Sequence, residues 1–162
     1  MLQPGDLAPD FDLPVLLGGV KSRFHLDEER CKRNILLAFY PLNWEPVSAE
    51  QVIAYQVERE KFLDLNAEIV TVSVDSIMNT TAWEREIGPF DFPMCSDFWP
   101  HGEVTREYGV FRDGPPMRGA SERAIFVIDR MRKTRFGQSF SLNQIPAVDD
   151  ALSALRALAI GD

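Results

Sequence analysis

Ser48 closes the segment Pro41-Leu42-Asn43-Trp44-Glu45-Pro46-Val47-Ser48, which follows the apolar run Ile35 to Tyr40 and precedes an amphipathic stretch. The layout is a strand, a Pro-started turn and a polar residue opening a helix, with Ser48 and Gln51 in the form of a capping box. The first turn of a helix offers free backbone N–H groups and the positive end of the macrodipole, so an anionic nucleophile is stabilised there. A serine cannot use that setting as a thiol would. Its hydroxyl has no accessible low pKa, its oxygen has no sulfenic-acid chemistry, and neither His25 nor His101 is close in sequence to act as its base. Arg123, at the head of the apolar run Ala124 to Ile128, is a further candidate. Taken alone, Pro41 is a strand terminator and Arg123 a surface cation at a strand start.

The other reactive side chains are isolated. Cys31 lies among Glu28, Glu29, Arg30, Lys32 and Arg33 and is expected in an exposed loop or helix end; Cys95, after Phe92-Pro93-Met94, is expected to be a buried small hydrophobe. Two unpatterned cysteines suit neither a metal site nor a disulfide framework. The histidines have no second ligand at metal-binding spacing. No metal and no cofactor are expected.

The elements that must position Ser48 and Arg123 follow from periodicity. Alternation over Ala8 to Pro14, then Gly18-Gly19 and Val20 to Leu26, predicts an N-terminal hairpin. Ile35 to Tyr40 predicts a strand buried on both faces. A helix is predicted from Ser48 or Ala49 to about Leu65, with Val52, Tyr55, Phe62 and Leu65 on its apolar side. Glu68 to Asp75, rich in β-branched residues, predicts a second central strand, and the strand, helix, strand order makes a right-handed crossover with a parallel pair. Beyond it we expect a helix over Asn79 to Ile87 ended by Gly88-Pro89, a short edge strand over Phe92 to Ser96, and a short helix over Gly102 to Tyr108. Asp113 to Gly119 is a loop by composition. Arg123 to Asp129 and Lys133 to Phe140 form an antiparallel pair, and an amphipathic helix carries Val148, Leu152 and Leu155. The pattern describes one α/β domain over residues 1–162 of the thioredoxin type: a central mixed β-sheet flanked by helices, with an N-terminal β-hairpin extension.

Composition excludes several classes. A chain of 162 residues with 45% hydrophobic and 26% charged residues fits a single soluble domain, and no apolar run is long enough to span a bilayer. A formal net charge of -8, with no basic stripe, argues against nucleic-acid binding. The first residues lack the basic flank and apolar core of a secretory signal, so the cytoplasm is the expected compartment.

The segment at 41–48 resembles the peroxiredoxin family, which carries Pro-x-x-x-Thr/Ser-x-x-Cys there. Ala8-Pro9-Asp10-Phe11, Ser73-Val74-Asp75-Ser76 with Trp83, Ser96-Asp97 with Tyr108-Gly109-Val110, and Arg123 with Phe126-Val127-Ile128-Asp129 continue the match in order. The resemblance implies a thiol peroxidase scaffold that reduces hydroperoxides with thioredoxin or a small thiol as reductant and forms a homodimer. It places Ser48 at the peroxidatic Cys position, Glu45 at the Thr/Ser position that would hydrogen-bond the peroxide, Pro41 as a shield from water, Arg123 as the guanidinium supporting thiolate and peroxide, and Gln51 and Trp83 in the substrate-binding surroundings. With serine at 48, peroxide reduction is expected to be absent. Two origins stay open: a degenerate member of the family, or a working peroxidase whose Cys was changed to Ser48. Glu45 favours the first, because a carboxylate beside a thiolate raises its pKa and a Cys-to-Ser change alone leaves Glu45 unexplained. A third reading is a non-catalytic binding or regulatory module holding a small anion beside Arg123.

Overall fold

The computed structural model describes residues 1–161. Seven strands form one mixed sheet: β1 (Asp12–Leu17), β2 (Val20–His25), β3 (Asn34–Phe39), β4 (Ala67–Ser73), β5 (Met94–Ser96), β6 (Arg123–Ile128) and β7 (Thr134–Phe140), in the order β2-β1-β5-β4-β3-β6-β7. Four helices accompany them: α1 (Pro46–Leu63), α2 (Ile77–Ile87), α3 (Glu103–Glu107) and α4 (Asp149–Gly161). β3, β4 and β5 run parallel, while β1 and β6 join them antiparallel.

The continuous apolar run in β3 is explained by two cores rather than one. Leu36, Ala38 and Tyr40 face a core shared with α1, α2 and α4 through Val52, Tyr55, Phe62, Trp83, Leu152 and Leu155. Ile35, Leu37 and Phe39 face a second core with Phe11, Leu13, Val104, Tyr108 and Val110. Both faces of the strand are therefore dry, and polar alternation would strand unpaired groups in the interior. The N-terminal hairpin forms as expected, with Leu17 opposite Val20 and a two-residue turn in which Gly18 and Gly19 have φ of 58° and 77°. Only glycine takes such angles without strain, which is why this pair marks the hairpin.

Three expectations need correction. Met94–Ser96 is an internal strand, held between β4 and β1; the antiparallel return of the hairpin covers what the order of elements alone leaves as an edge. The first strand starts at Asp12, because the backbone of Ala8 is bonded to Arg132 across the molecule instead of entering the ladder. α1 begins at Pro46, and its cap is Glu45 rather than Ser48. Pro at the first helical position needs no N–H and has a helical φ already, so the helix starts two residues before Ser48.

Candidate functional site

β3 and β6 are antiparallel neighbours inside the sheet, with Phe39 opposite Ala124, so the C-terminal end of β3 lies beside the start of β6. The chain leaves β3 through buried Pro41, turns, and enters α1 from that end of the sheet. Arg123 lies two residues before Ile125, on the face that packs against α1. Register and helix placement thus bring together residues 75 positions apart.

The contacts at this junction are dense. Glu45 accepts hydrogen bonds from the backbone N–H of Val47 on Oε1 at 3.0 Å and of Ser48 on Oε2 at 2.7 Å. The Ser48 hydroxyl donates to the same Oε2 at 2.7 Å. Arg123 donates through Nη1 to Ser48 Oγ at 3.0 Å and to Gln51 Oε1 at 2.9 Å, and through Nη2 to Glu45 Oε2 at 3.0 Å and to the Leu142 carbonyl at 2.7 Å. Ser48, Gln51 and Arg123 have no exposed surface; a fifth of the Glu45 side chain reaches solvent. The guanidinium is consumed from within, except for Nε, which is buried without a partner.

A carboxylate cap with two backbone N–H groups and a cation on it is a strongly held anion. Burial alone would push the Glu45 carboxyl up, but the hydrogen bonds from Ser48 and Arg123 and from the two backbone groups outweigh it and hold the carboxyl below its usual range. The sign of the resulting pH dependence follows. An acid whose pKa is lower folded than unfolded contributes stability above its unfolded value, and loses it as the pH falls through the folded one. Glu45→Gln cannot ionise, so the stability difference between native chain and variant should shrink as the pH falls from neutrality through the ordinary carboxylate range and below it. Chemical denaturation at neutral and at strongly acidic pH checks this; a difference independent of pH would show that Glu45 is not held ionised by these contacts.

A second network fixes the turn itself. Asn43 accepts from Tyr40 Oη at 2.7 Å, donates through Nδ2 to Asn79 at 3.0 Å and Thr80 at 2.9 Å, and donates its backbone N–H to Asp75 at 2.8 Å. Trp44, in the left-handed region at φ 70°, donates its indole N–H to Asn79 at 3.0 Å. Asn43 was legible only as part of the turn, since three of its four partners, Asp75, Asn79 and Thr80, lie 32 to 37 positions further along the chain. The Leu142 carbonyl carries no side-chain signal at all. Gln51 with Tyr55, bonded at 2.8 Å, does have one: they are four apart on α1.

The remaining candidates lie elsewhere. Trp83 is a core residue, 1% exposed and packed on Tyr40 at a ring separation of 5.5 Å, so it presents no surface to a ligand. Ser48 and Gln51 do not form the capping box: Glu45 takes the capping role, and Gln51 turns inward to Arg123 and Tyr55. His25 pairs with Asp10 at 2.8 Å near the surface, and His101 bonds the Gly119 carbonyl at 2.7 Å. Cys31 is exposed and Cys95 buried, and burial pushes the Cys95 thiol far up. Among the described residues no cluster of His, Cys, Asp and Glu could hold a metal ion, and no helix is long and apolar enough to cross a membrane.

With the fold and this junction established, comparison with known proteins gives a consistent answer. Residues 4–136 match the AhpC/TSA family model. Alkyl hydroperoxide reductase E of Mycobacterium tuberculosis is 31% identical over 160 residues, covering 97% of this chain and 100% of that protein. Peroxiredoxin-2 of Mus musculus is 30% identical over 169 residues, 99% of this chain and 81% of its own. The reduced 2-Cys peroxiredoxin of Plasmodium vivax superposes with a TM-score of 0.89 at 26% identity, over 97% of this chain and 82% of that one. Mycobacterium tuberculosis AhpC does so at 0.86 and 25% identity, over 100% and 96%. The chain belongs to the AhpC/TSA family, the peroxiredoxins, and has their thioredoxin-like fold.

Proposed function

We propose that this chain is a peroxiredoxin-family protein without thiol peroxidase chemistry, a degenerate member whose reactive turn has become a closed, internally neutralised junction. One observation carries the reading: Glu45 Oε2 receives the Ser48 N–H, the Ser48 hydroxyl and Arg123 Nη2 together. A thiolate at position 48 would stand against that carboxylate, and the cation that ought to support it is already engaged. The serine hydroxyl cannot substitute, because its oxygen forms no sulfenic acid and the group beside it is a depressed carboxylate, a poor base. Burial makes Cys95 inert, and Cys31 stands exposed at the surface.

A second reading, in which a thiol-dependent peroxidase has serine in place of its Cys, draws support from Arg123, whose Nη1 stands 3.0 Å from Ser48 Oγ where a thiolate would need a cation. Thioredoxin or a small thiol would then be the reductant. We assign the protein to the cytoplasm as a homodimer, in keeping with the family it belongs to, and read residues 1–162 as one domain. A small molecule reaching Arg123 has to displace groups that now bond it, as the guanidinium has no exposed surface.

The purified chain is expected to consume hydrogen peroxide or an organic hydroperoxide no faster than an equal concentration of a simple thiol, with dithiothreitol or thioredoxin as electron donor. Turnover above that level that Cys95→Ser abolishes would move the nucleophile to Cys95 and end the proposal.

A further inference from the structure

Asn34 and Phe39 are the two ends of β3, and the pole of the sheet at Asn34, away from Ser48, holds a pocket of its own. Its volume is about 90 Å³, and it is lined by Asn34, by Asp129, Arg130 and Met131 in the turn after β6, by Arg135 on β7 and by Leu158 on α4. We infer that this is a binding site for a short aliphatic carboxylate, with its head on Arg135 and Asn34 and its body against Met131 and Leu158.

Asn34 is 6% exposed, yet its side-chain amide makes no hydrogen bond among the described residues. A buried amide with neither donor nor acceptor used is costly, so the pocket it faces calls for a partner from outside the chain. A water would serve the amide but would leave the charge beside it unanswered. Arg135 supplies that charge: its Nε donates to Asp129 Oδ2 at 2.6 Å, while its two terminal nitrogens make no hydrogen bond among the described residues. Asp129 is occupied in closing the turn, its Oδ1 accepting the Met131 and Lys133 N–H groups at 2.9 Å each. It aims the guanidinium and does not fill the pocket.

The backbone departs from regularity at this same residue. Val127 lies opposite Phe136 but Ile128 lies opposite Thr134, so Arg135 is the extra residue of a β-bulge, a device that redirects a side chain. Charge is gathered around it as well. Residues 30–33 and 130–135 meet where the Cys31 N–H donates to the Arg130 carbonyl at 2.8 Å, and they carry seven of the 17 Lys and Arg residues and no acid. Arg33 and Arg132 are ion-paired with neighbouring acids, but the pole as a whole favours an anion in a chain of net charge -8.

The ligand class follows from the lining. A guanidinium fork suits carboxylate and phosphate alike, but Met131 and Leu158 offer a phosphate no donors and offer an alkyl chain contact area. At roughly 10–15 Å³ per water-sized group, the volume admits about six to nine heavy atoms. Butyrate falls at the small end of that range.

Sodium butyrate is therefore the probe. Calorimetric and NMR titration of the native chain, against sodium chloride at equal ionic strength, should show saturable binding with shifts at Asn34 and Leu158, and a melting temperature raised by about 3–6 °C at a tenfold excess over the dissociation constant. Inorganic phosphate, which lacks the alkyl body, and 1-butanol, which lacks the charge, should each bind about tenfold or more weakly. Arg135→Gln, at a half-exposed side chain, should weaken butyrate about tenfold or more, and Asn34→Ala about threefold or more. Asn34→Asp, which keeps the size and adds a like charge, repeats the test at that position should the alanine variant accumulate poorly, and should abolish binding at neutral pH. Butyrate acting no better than chloride, phosphate or butanol matching it, or unchanged affinity in Arg135→Gln or in the Asn34 variant, overturns the site. Peroxide turnover by the native chain would end the proposed function and leave a butyrate result standing, since the pocket uses none of the residues around position 48.

Discussion

Ser48→Cys alone is expected to yield a sluggish thiol, and Ser48→Cys combined with Glu45→Thr a peroxide-reactive one, with second-order rate constants at least about tenfold apart. In the single variant the sulfur replaces an oxygen that sits 2.7 Å from Glu45 Oε2. The carboxylate opposes ionisation of the thiol and repels the negative charge that develops as peroxide is attacked, while Arg123 Nη2 remains bound to it. Threonine at 45 keeps an oxygen able to cap α1, removes the like charge and frees Nη2 for thiolate and peroxide. Stopped-flow peroxide kinetics and the pH dependence of thiol alkylation report the two effects separately. Fast and equal reactivity in both variants would show that Glu45 is harmless, and would favour a working peroxidase whose Cys was replaced at 48.

Arg123→Met should be the most destabilising single change at the site. It removes four hydrogen bonds and leaves the Glu45 carboxylate and the Leu142 carbonyl without their partner. Breaking one side of a buried pair costs about 3–5 kcal/mol, and the partial exposure of Glu45, which lets water reach its stranded charge, places the loss near the lower end of about 3 kcal/mol. For a domain of this size that is a fall of about 6–12 °C in melting temperature. Part of the loss should return in Arg123→Met with Glu45→Thr, because the second change removes the unpaired charge; a coupling of about 1 kcal/mol or more in the cycle is the signature. Strictly additive losses would mean that the two side chains do not depend on each other, and would remove the basis for reading the junction as self-neutralised.

Much of this protein was legible in its sequence because the signals were local. The hairpin needed only Gly18-Gly19 between alternating segments, and β3, β4 and β6 needed only runs too apolar to face water on either side. The family was legible because several weak matches fell in order along the chain. What misled was also local in kind: Ser48 followed by Gln51 has the form of a capping box, but Pro46 can start the helix earlier and Glu45 supplies the acceptor, so Gln51 is released to face Arg123. The edge strand was misplaced because an antiparallel neighbour arriving from the N-terminus leaves no mark near residues 94–96.

The sequence by itself determined which residue types stand at the turn: serine where sulfur chemistry would need cysteine, a carboxylate three positions before it, and an arginine far downstream. Those identities are enough to remove sulfur chemistry from position 48, since no arrangement of neighbours gives oxygen a thiol's oxidation states. Only the tertiary structure decided what the three residues are to one another. Their meeting depends on the β3 and β6 register and on α1 starting at Pro46, which set distances that no spacing along the chain encodes. Because charge interactions fall with distance and strengthen as water is excluded, it is this burial and approach that turns Glu45 from a surface acid into the counter-ion of Arg123.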